Sequence, residues 1–287
     1  MSFDTTWLRC PNCVEPLHEV GPLVIGCATG HRFDVSKYGT VTLLPPKAPR
    51  TTGDDREMLT ARSSLLDSSV YAPISESVVD ATFRWQPEPG RQRMSPRIAD
   101  FGCGTGYYTA AVARAHPAAD VLVTDRSPVA ARMAVRAVEG ATGVVLDIWR
   151  PLPLRDGVVD IALNIFAPRN PSEYARVIRE AGILVVVVPR ENHLEELQQR
   201  GDMLSIPEGK ELQVATALGQ VGFDALDRTG LEYEALVDAA QRRLLTAMGP
   251  TAHHAREGES DRLDESVGAM SVTVSVEVLT FERRRPA

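Results

Sequence analysis

From residue 97 onward, short apolar runs alternate with amphipathic stretches along this 287-residue chain. RIADFG reads as a strand, GYYTAAVARAHP as a helix and DVLVTD as a second strand. VAARMAVRAVEG is again helical, VVLD a short strand and VVDIALNIF a longer one. PSEYARVIREAG reads as a helix and ILVVVVP as a strand that is apolar throughout. Strands alternating with helices, some apolar on both faces, predict a parallel sheet covered on each side. SVTVSVEVLTFERR alternates strictly and predicts a late antiparallel strand.

Upstream the rhythm differs. EMLTARSSLLDSSVYAPISESVVDATFRW carries Met58, Leu59, Leu65 and Leu66 near helical spacing. It lies between two Pro-rich breaks, LLPPKAPRTTGDD and QPEPGRQRMSP, where structure is punctuated rather than continued. The first 45 residues are strand-like and hold three of the four cysteines. The division expected is a small domain over 1–45, a helical linker over 46–96 and an α/β domain over 97–287. Repeats and low-complexity tracts are missing from the sequence.

Composition adds two constraints. Hydrophobic content of 44% and charged content of 24% suit a soluble globular protein with a real core. No run approaches the roughly 20 apolar residues of a membrane span, and MSFDTTWLRCPNC lacks the regions of a signal peptide. A cytoplasmic location without membrane contact is expected, and cysteines there are more often ligands than disulfides. The net charge of −7 speaks against nucleic-acid binding. Against that, Arg32, Lys37, Lys47, Arg50, Arg56 and Arg62 gather early while acids gather late in EGESDRLDE, so charge decides little.

ADFGCGTGYYT sets Gly102, Gly104 and Gly106 between a strand and a helix, where glycine allows a tight turn and close backbone approach to a ligand. Dinucleotide binding competes with S-adenosylmethionine (SAM) for this motif. Three acids favour SAM. Asp100 precedes the glycines, where it could bind the methionine amino group. Asp125 ends the next strand and would accept the ribose hydroxyls. Asp147 closes the third and suits the adenine amino group. Helix capping is the plainer role for such acids, yet three at successive strand ends line the edge where open α/β sheets bind ligands. The expected fold is a Rossmann-like class I SAM-dependent methyltransferase domain with a small N-terminal zinc-binding domain.

Cys10-x2-Cys13 and Cys27-x3-His31, thirteen residues apart, fit a Cys3His zinc site. His18 is an alternative fourth ligand without the paired spacing, and Cys103 reads as a small filler inside the glycine loop. About 45 residues are too few for an independent apolar core, so a structural Zn2+ would supply stability.

The order CPNC…CATGHRFDVSKYGTVTLL, GDDREMLTAR…VYAP, DFGCGTGYYT resembles the 23S rRNA (guanine-N1)-methyltransferases. LPLRDGVVDIALNIFAPRNPSEYARVI resembles especially the branch associated with tylosin-type macrolide resistance. The resemblance implies a zinc module that helps recognise hairpin 35 of 23S rRNA, with SAM as methyl donor and a homodimer as an open expectation. It also implies SAM-pocket roles for Tyr71 and His193, beside Gly104 and Thr105. Thr40, Thr42, Ser63 and Ser64 depart from the family at positions expected to face RNA, and REAG at 179–182 lacks its Pro-Gly-Gly turn.

Methyl transfer demands an in-line nucleophile, and guanine N1 must lose a proton. NIFAP follows the fourth strand, so Asn164 could hold the guanine edge and Phe166 could stack on the base, with core packing the equal alternative for Phe166. No carboxylate identifies itself as general base. A small-molecule methyltransferase with a zinc lid, or a SAM-binding protein without turnover, are the competing functions.

Overall fold

The computed structural model describes residues 3–44, 53–87, 95–248 and 268–285. Most of both Pro-rich breaks, with Lys47 and Arg50, and the acidic EGESDRLDE lie outside the described residues. The N-terminal unit holds three short strands, β1 (His18–Gly21), β2 (Val24–Gly26) and β3 (Arg32–Asp34), paired antiparallel in the order β1-β2-β3. The next strand, β4 (Thr40–Thr42), leaves that sheet. It pairs parallel with β7 (Thr142–Val145) and forms one edge of the large sheet. Trp7, Leu8, Leu17, Val41 and Leu43 share one apolar core with Phe101, Leu122 and Leu154. The metal-bearing unit is therefore built into the main body.

Two helices follow, α1 (Arg56–Asp67) and α2 (Ala72–Thr82). Asp55 caps α1 by accepting from the Met58 N–H at 2.9 Å. Their apolar stripes, including Leu65, Leu66, Ile74 and Val78, pack on the sheet.

The parallel part contains β5 (Arg97–Phe101), α3 (Tyr107–Ala115), β6 (Asp120–Asp125), α4 (Pro128–Ala137), β7, β8 (Val159–Ile165), α5 (Pro171–Val177) and β9 (Ile178–Pro189). After α6 (Glu195–Gln199) and α7 (Lys210–Gln220) come β10 (Phe223–Val237), α8 (Ala239–Ala247) and β11 (Met270–Arg283). The sheet order is β10-β11-β9-β8-β5-β6-β7-β4, with β11 antiparallel to both its neighbours. The chain reverses sheet direction beside β5, and the ligand crevice of such sheets lies there.

Two elements differ from the sequence pattern. The helix expected over PSEYARVIREAG stops at Val177, because buried Ile178 pairs with Val159 and starts β9. The register then jumps to Ile161 opposite Ile183, so residues 179–182 form a bulge with Ala181 at φ +57°. The long strand β10 was not expected. Its signal is the alternation Leu231, Tyr233, Ala235, Val237, whose side chains pack on the core between exposed Glu232, Glu234 and Leu236.

Candidate active site and metal centre

The carboxyl ends of β5, β6, β7 and β8 bring most of the expected ligand residues to one edge. The turn after β5 carries Gly102, Gly104 and Gly106 at φ +94°, +52° and +83°. A Cβ at Gly106 would stand 2.6 Å from Ala134 Cα, so only glycine lets α3 start this close to α4. Gly104 faces open space apart from the Arg62 guanidinium, 3.5 Å from where its Cβ would be.

Asp100 is buried. Its Oδ2 accepts from the Thr109 hydroxyl, while its Oδ1 has no protein partner. Burial, with Asp125 nearby, raises its pKa to about 7 despite the Thr109 hydrogen bond. A buried carboxylate oxygen without a partner, on the residue two positions before the glycine turn, fits a ligand ammonium group. Asp125 accepts from the Gly104 N–H (3.0 Å) and the Ser127 N–H (2.8 Å), so it both shapes the glycine turn and ends β6. Burial raises its pKa as well, against those two hydrogen bonds. Asp147 lies two residues beyond β7 rather than closing it. Its carboxylate accepts from the Trp149 N–H and pairs with Arg126 at 2.5 Å and Arg150 at 3.5 Å. An adenine amino group there would share the carboxylate with two cations.

Tyr71, before α2, and His193, after β9, are 122 positions apart and meet in the core. His193 Nδ1 accepts from the Ser275 N–H at 3.1 Å, which leaves the proton on Nε2 to be donated to the Tyr71 hydroxyl at 3.2 Å. Burial holds the His193 pKa down at about 4, so the ring is neutral at ordinary pH. Phe166, directly after β8, stands 6.3 Å from the Tyr71 ring, 6.2 Å from His193 and 6.5 Å from Tyr108. It is 40% exposed and sits at φ +53°, a costly conformation for a bulky residue. The aromatic side chain is thus held in a strained conformation and left open to solvent beside Tyr71 and His193.

Asn164 is turned the other way. Its amide nitrogen donates to the carbonyls of Phe101 (3.2 Å) and Pro168 (2.8 Å) and to the Tyr174 hydroxyl (3.0 Å). The residue is fully buried, so its amide nitrogen braces the NIFAP loop and has no donor left for a guanine edge, while its Oδ1 has no protein partner. Two residues that sequence reasoning did not assign to the pocket also reach it. Arg62 pairs with Asp54 and donates to the Met248 carbonyl at 3.0 Å over the glycine turn. Tyr108 places a buried hydroxyl without a partner beside Phe166. The second tyrosine of GYYT is the one signal that could have flagged it.

In the N-terminal unit, Cys10, Cys13, Cys27 and His31 converge so that their ligand atoms all lie within 4.8 Å of one another. Cys13 and Cys27 sulfurs are 3.6 Å apart, and Cys27 Sγ is 3.4 Å from His31 Nδ1. Tetrahedral zinc with Zn–S bonds of about 2.3 Å would set sulfurs roughly 3.8 Å apart. The donor set and its spacing fit zinc, and with four protein ligands the site is closed. His18 is not part of the cluster.

Family models match both halves: the N-terminal region of RlmA over residues 8–51, and a methyltransferase domain over residues 98–185. The 23S rRNA (guanine(748)-N(1))-methyltransferase of Streptomyces fradiae is 37% identical over 281 residues, covering 98% of this chain and 97% of that protein. The chain belongs to the 23S rRNA (guanine-N1)-methyltransferase family. A second 23S rRNA (guanine-N1)-methyltransferase, assigned in Micromonospora griseorubida, is 36% identical over 97% of both chains. Among solved structures, a chain of the complex between the Haloferax volcanii Trm112 methyltransferase activator and a methyltransferase is similar in fold (TM-score 0.52, 15% identity). That match covers 82% of this chain and all of that one. No described helix of this family member is long and apolar enough to cross a membrane.

Proposed function

We propose that this protein transfers a methyl group from SAM to N1 of a guanine in hairpin 35 of 23S rRNA. One observation carries the reading: similarity to the Streptomyces fradiae enzyme runs through the metal unit and the cofactor edge alike, over 98% of the chain. A small-molecule methyltransferase would share the second without the first.

SAM supplies an electrophilic methyl group. The chain's own residues bind and orient. The Asp100 Oδ1 without a partner receives the methionine ammonium, Asp125 the ribose hydroxyls and Asp147 the adenine amino group. Gly102, Gly104, Thr105 and Gly106 form the turn against the cofactor, and Phe166 supports the flipped guanine by stacking. His193 is not the general base. Both ring nitrogens are engaged, and its pKa near 4 leaves it little basicity. Tyr71 is excluded too, because burial raises its pKa and keeps the phenol protonated. The Tyr71 oxygen accepts from His193, so its own O–H is free to donate to guanine O6. Donation there stabilises charge on O6 and so lowers the N1 pKa, letting solvent water take the N1 proton without a carboxylate base while the methyl group passes from the sulfonium to N1 and leaves the neutral thioether.

N1-methylguanine blocks Watson–Crick pairing and stops reverse transcription. Primer extension on 23S rRNA incubated with the purified protein and SAM should give a new stop at a guanine of hairpin 35. A full-length product with no stop would overturn the assignment. Modification at that hairpin is also the basis for the proposed link to macrolide resistance, and it would put the protein's work at the ribosome, in the cytoplasm.

A further inference from the structure

A second polar surface lies on the same sheet edge, away from the cofactor turn. The segment between β3 and β4 folds into a tight turn around Ser36. Ser36 N–H donates to the Thr40 carbonyl at 2.7 Å and Gly39 N–H to the Ser36 carbonyl at 3.0 Å. Ser36 Oγ accepts from the N–H groups of Tyr38 and Thr40, both at 3.2 Å. This turn holds Lys37 and Tyr38 over a groove of about 390 Å³, whose opposite wall is α4 with Pro128 and Arg132. Tyr38 is 39% exposed. Lys37 Nζ stands 5.2 Å from its ring centroid and Arg136 Cζ 5.1 Å.

Some cations elsewhere are paired and others, such as Arg32, Arg56 and Arg114, have no carboxylate within 4.0 Å among the described residues; here three of the latter kind gather in one place. Arg9, Arg62, Arg84, Arg176, Arg190, Arg228 and Arg284 each pair with a carboxylate. Lys37, Arg132 and Arg136 have no carboxylate within 4.0 Å among the described residues. Asp34 is the acid that lines the groove, and it pairs with none of them. Three cations without a carboxylate partner beside a partly exposed aromatic ring, in a chain of net charge −7, form a local site for an extended polyanion with stacking bases.

Position supports the same partner. Thr42, Pro128 and Val145 line the groove, and Val145 ends β7 two residues before Asp147, so the groove reaches the carboxyl edge. Four strand spacings separate β4 from β8, roughly 19 Å at the usual separation. That is too far for the guanine being methylated. It suits nucleotides further along the same RNA.

We infer that the groove between the β3–β4 turn and α4 is a second RNA contact, in which Lys37 and Arg132, with Arg136 beside the Tyr38 ring, hold phosphodiester groups flanking the target and Tyr38 stacks on a base. The inference rests on the rRNA reading of the active site, and its test keeps the two apart. Binding of a 23S rRNA hairpin 35 transcript is measured against salt for the wild type and for a Lys37→Gln, Arg132→Gln, Arg136→Gln variant. The variant should lose about tenfold or more in affinity, and the slope of log K against log salt should fall by about 2. SAM affinity should not change. A variant with unaltered RNA affinity and slope overturns the inference, and an acidic protein as the groove's true partner would give that result. Should the triple variant melt early, Lys37→Gln alone, on the exposed turn, should reduce the slope by about 0.7; an unchanged slope again overturns it. Failure of the wild type to bind the transcript would instead count against the rRNA reading itself.

Discussion

Asp100 illustrates how burial sets the chemistry of a single residue. Its carboxyl is half protonated near pH 7, because desolvation and Asp125 outweigh the Thr109 hydrogen bond. A ligand ammonium favours the charged form, so SAM binding should release a proton. SAM affinity should weaken as pH falls below about 7, approaching tenfold per unit, and calorimetry in buffers of different ionisation enthalpy reads the released proton directly. The sign for stability is opposite. Between the unfolded value near 4 and the folded value of about 7 the native state holds the extra proton, so the unliganded protein loses stability as pH rises. Asp100→Asn should therefore raise the melting temperature at pH 8 while weakening SAM binding. The sequence placed Asp100 just before the glycines but held no information on its burial or protonation. Asn164 shows the limit more sharply. Its place in the NIFAP segment suggested a base contact, yet its amide nitrogen is spent on Phe101, Pro168 and Tyr174, and only neighbours brought in by the fold reveal that.

Among the elements, those with a strong period were legible and those with mixed faces were not. β8 and the apolar run of β9 are buried along their length, and both read directly from sequence. β11 alternates as expected, but its polar side does not face water. Glu277 is 1% exposed and is held by Arg190 and Arg228 at 2.6 and 2.8 Å. β10 was missed because seven of its first eight residues are polar, small or exposed, and the alternation emerges only from Leu231. The metal hairpins were legible from spacing alone, since Cys-x2-Cys and Cys-x3-His tie short turns that the Cys27 N–H bond to the His31 carbonyl closes at 3.2 Å. Metal analysis of reduced protein should find about one zinc per chain. Cys13→Ser should bring this close to zero and lower the thermal midpoint, because binding energy at such a site is folding energy. Full metal content in that variant would reject the ligand set.

The arrangement of the whole molecule changes what the N-terminal unit is. Composition and cysteine spacing suggested a small zinc-binding domain over residues 1–45, set apart from the α/β domain. In the structure, β4 completes the large sheet, Leu8 bridges Leu154, and Arg155 donates to the Leu8 carbonyl at 2.9 Å. Trp7 is fully buried with the Arg97 guanidinium 3.8 Å from its ring centroid. Deleting residues 1–44 would strip the edge strand and expose the core beneath Trp7, Leu8, Leu17 and Val41. The remainder should fail to give a cooperative melt by circular dichroism; a stable, two-state fragment would show that the two halves fold independently.

Local chemistry is written in the chain itself. The Cys3His spacing, the glycine turn, the acids near strand ends and the α/β alternation each depend on residue type and spacing along the chain, and the sequence determined them. Tertiary structure decided everything that depends on distant partners. It joined Tyr71 to His193, opened Phe166 beside them, turned Asn164 inward and fused the metal unit to the sheet. It also set Lys37 and Tyr38 across from Arg132 and Arg136. Burial, orientation and unpaired charge are properties of neighbourhoods, and neighbourhoods exist only once the chain has folded.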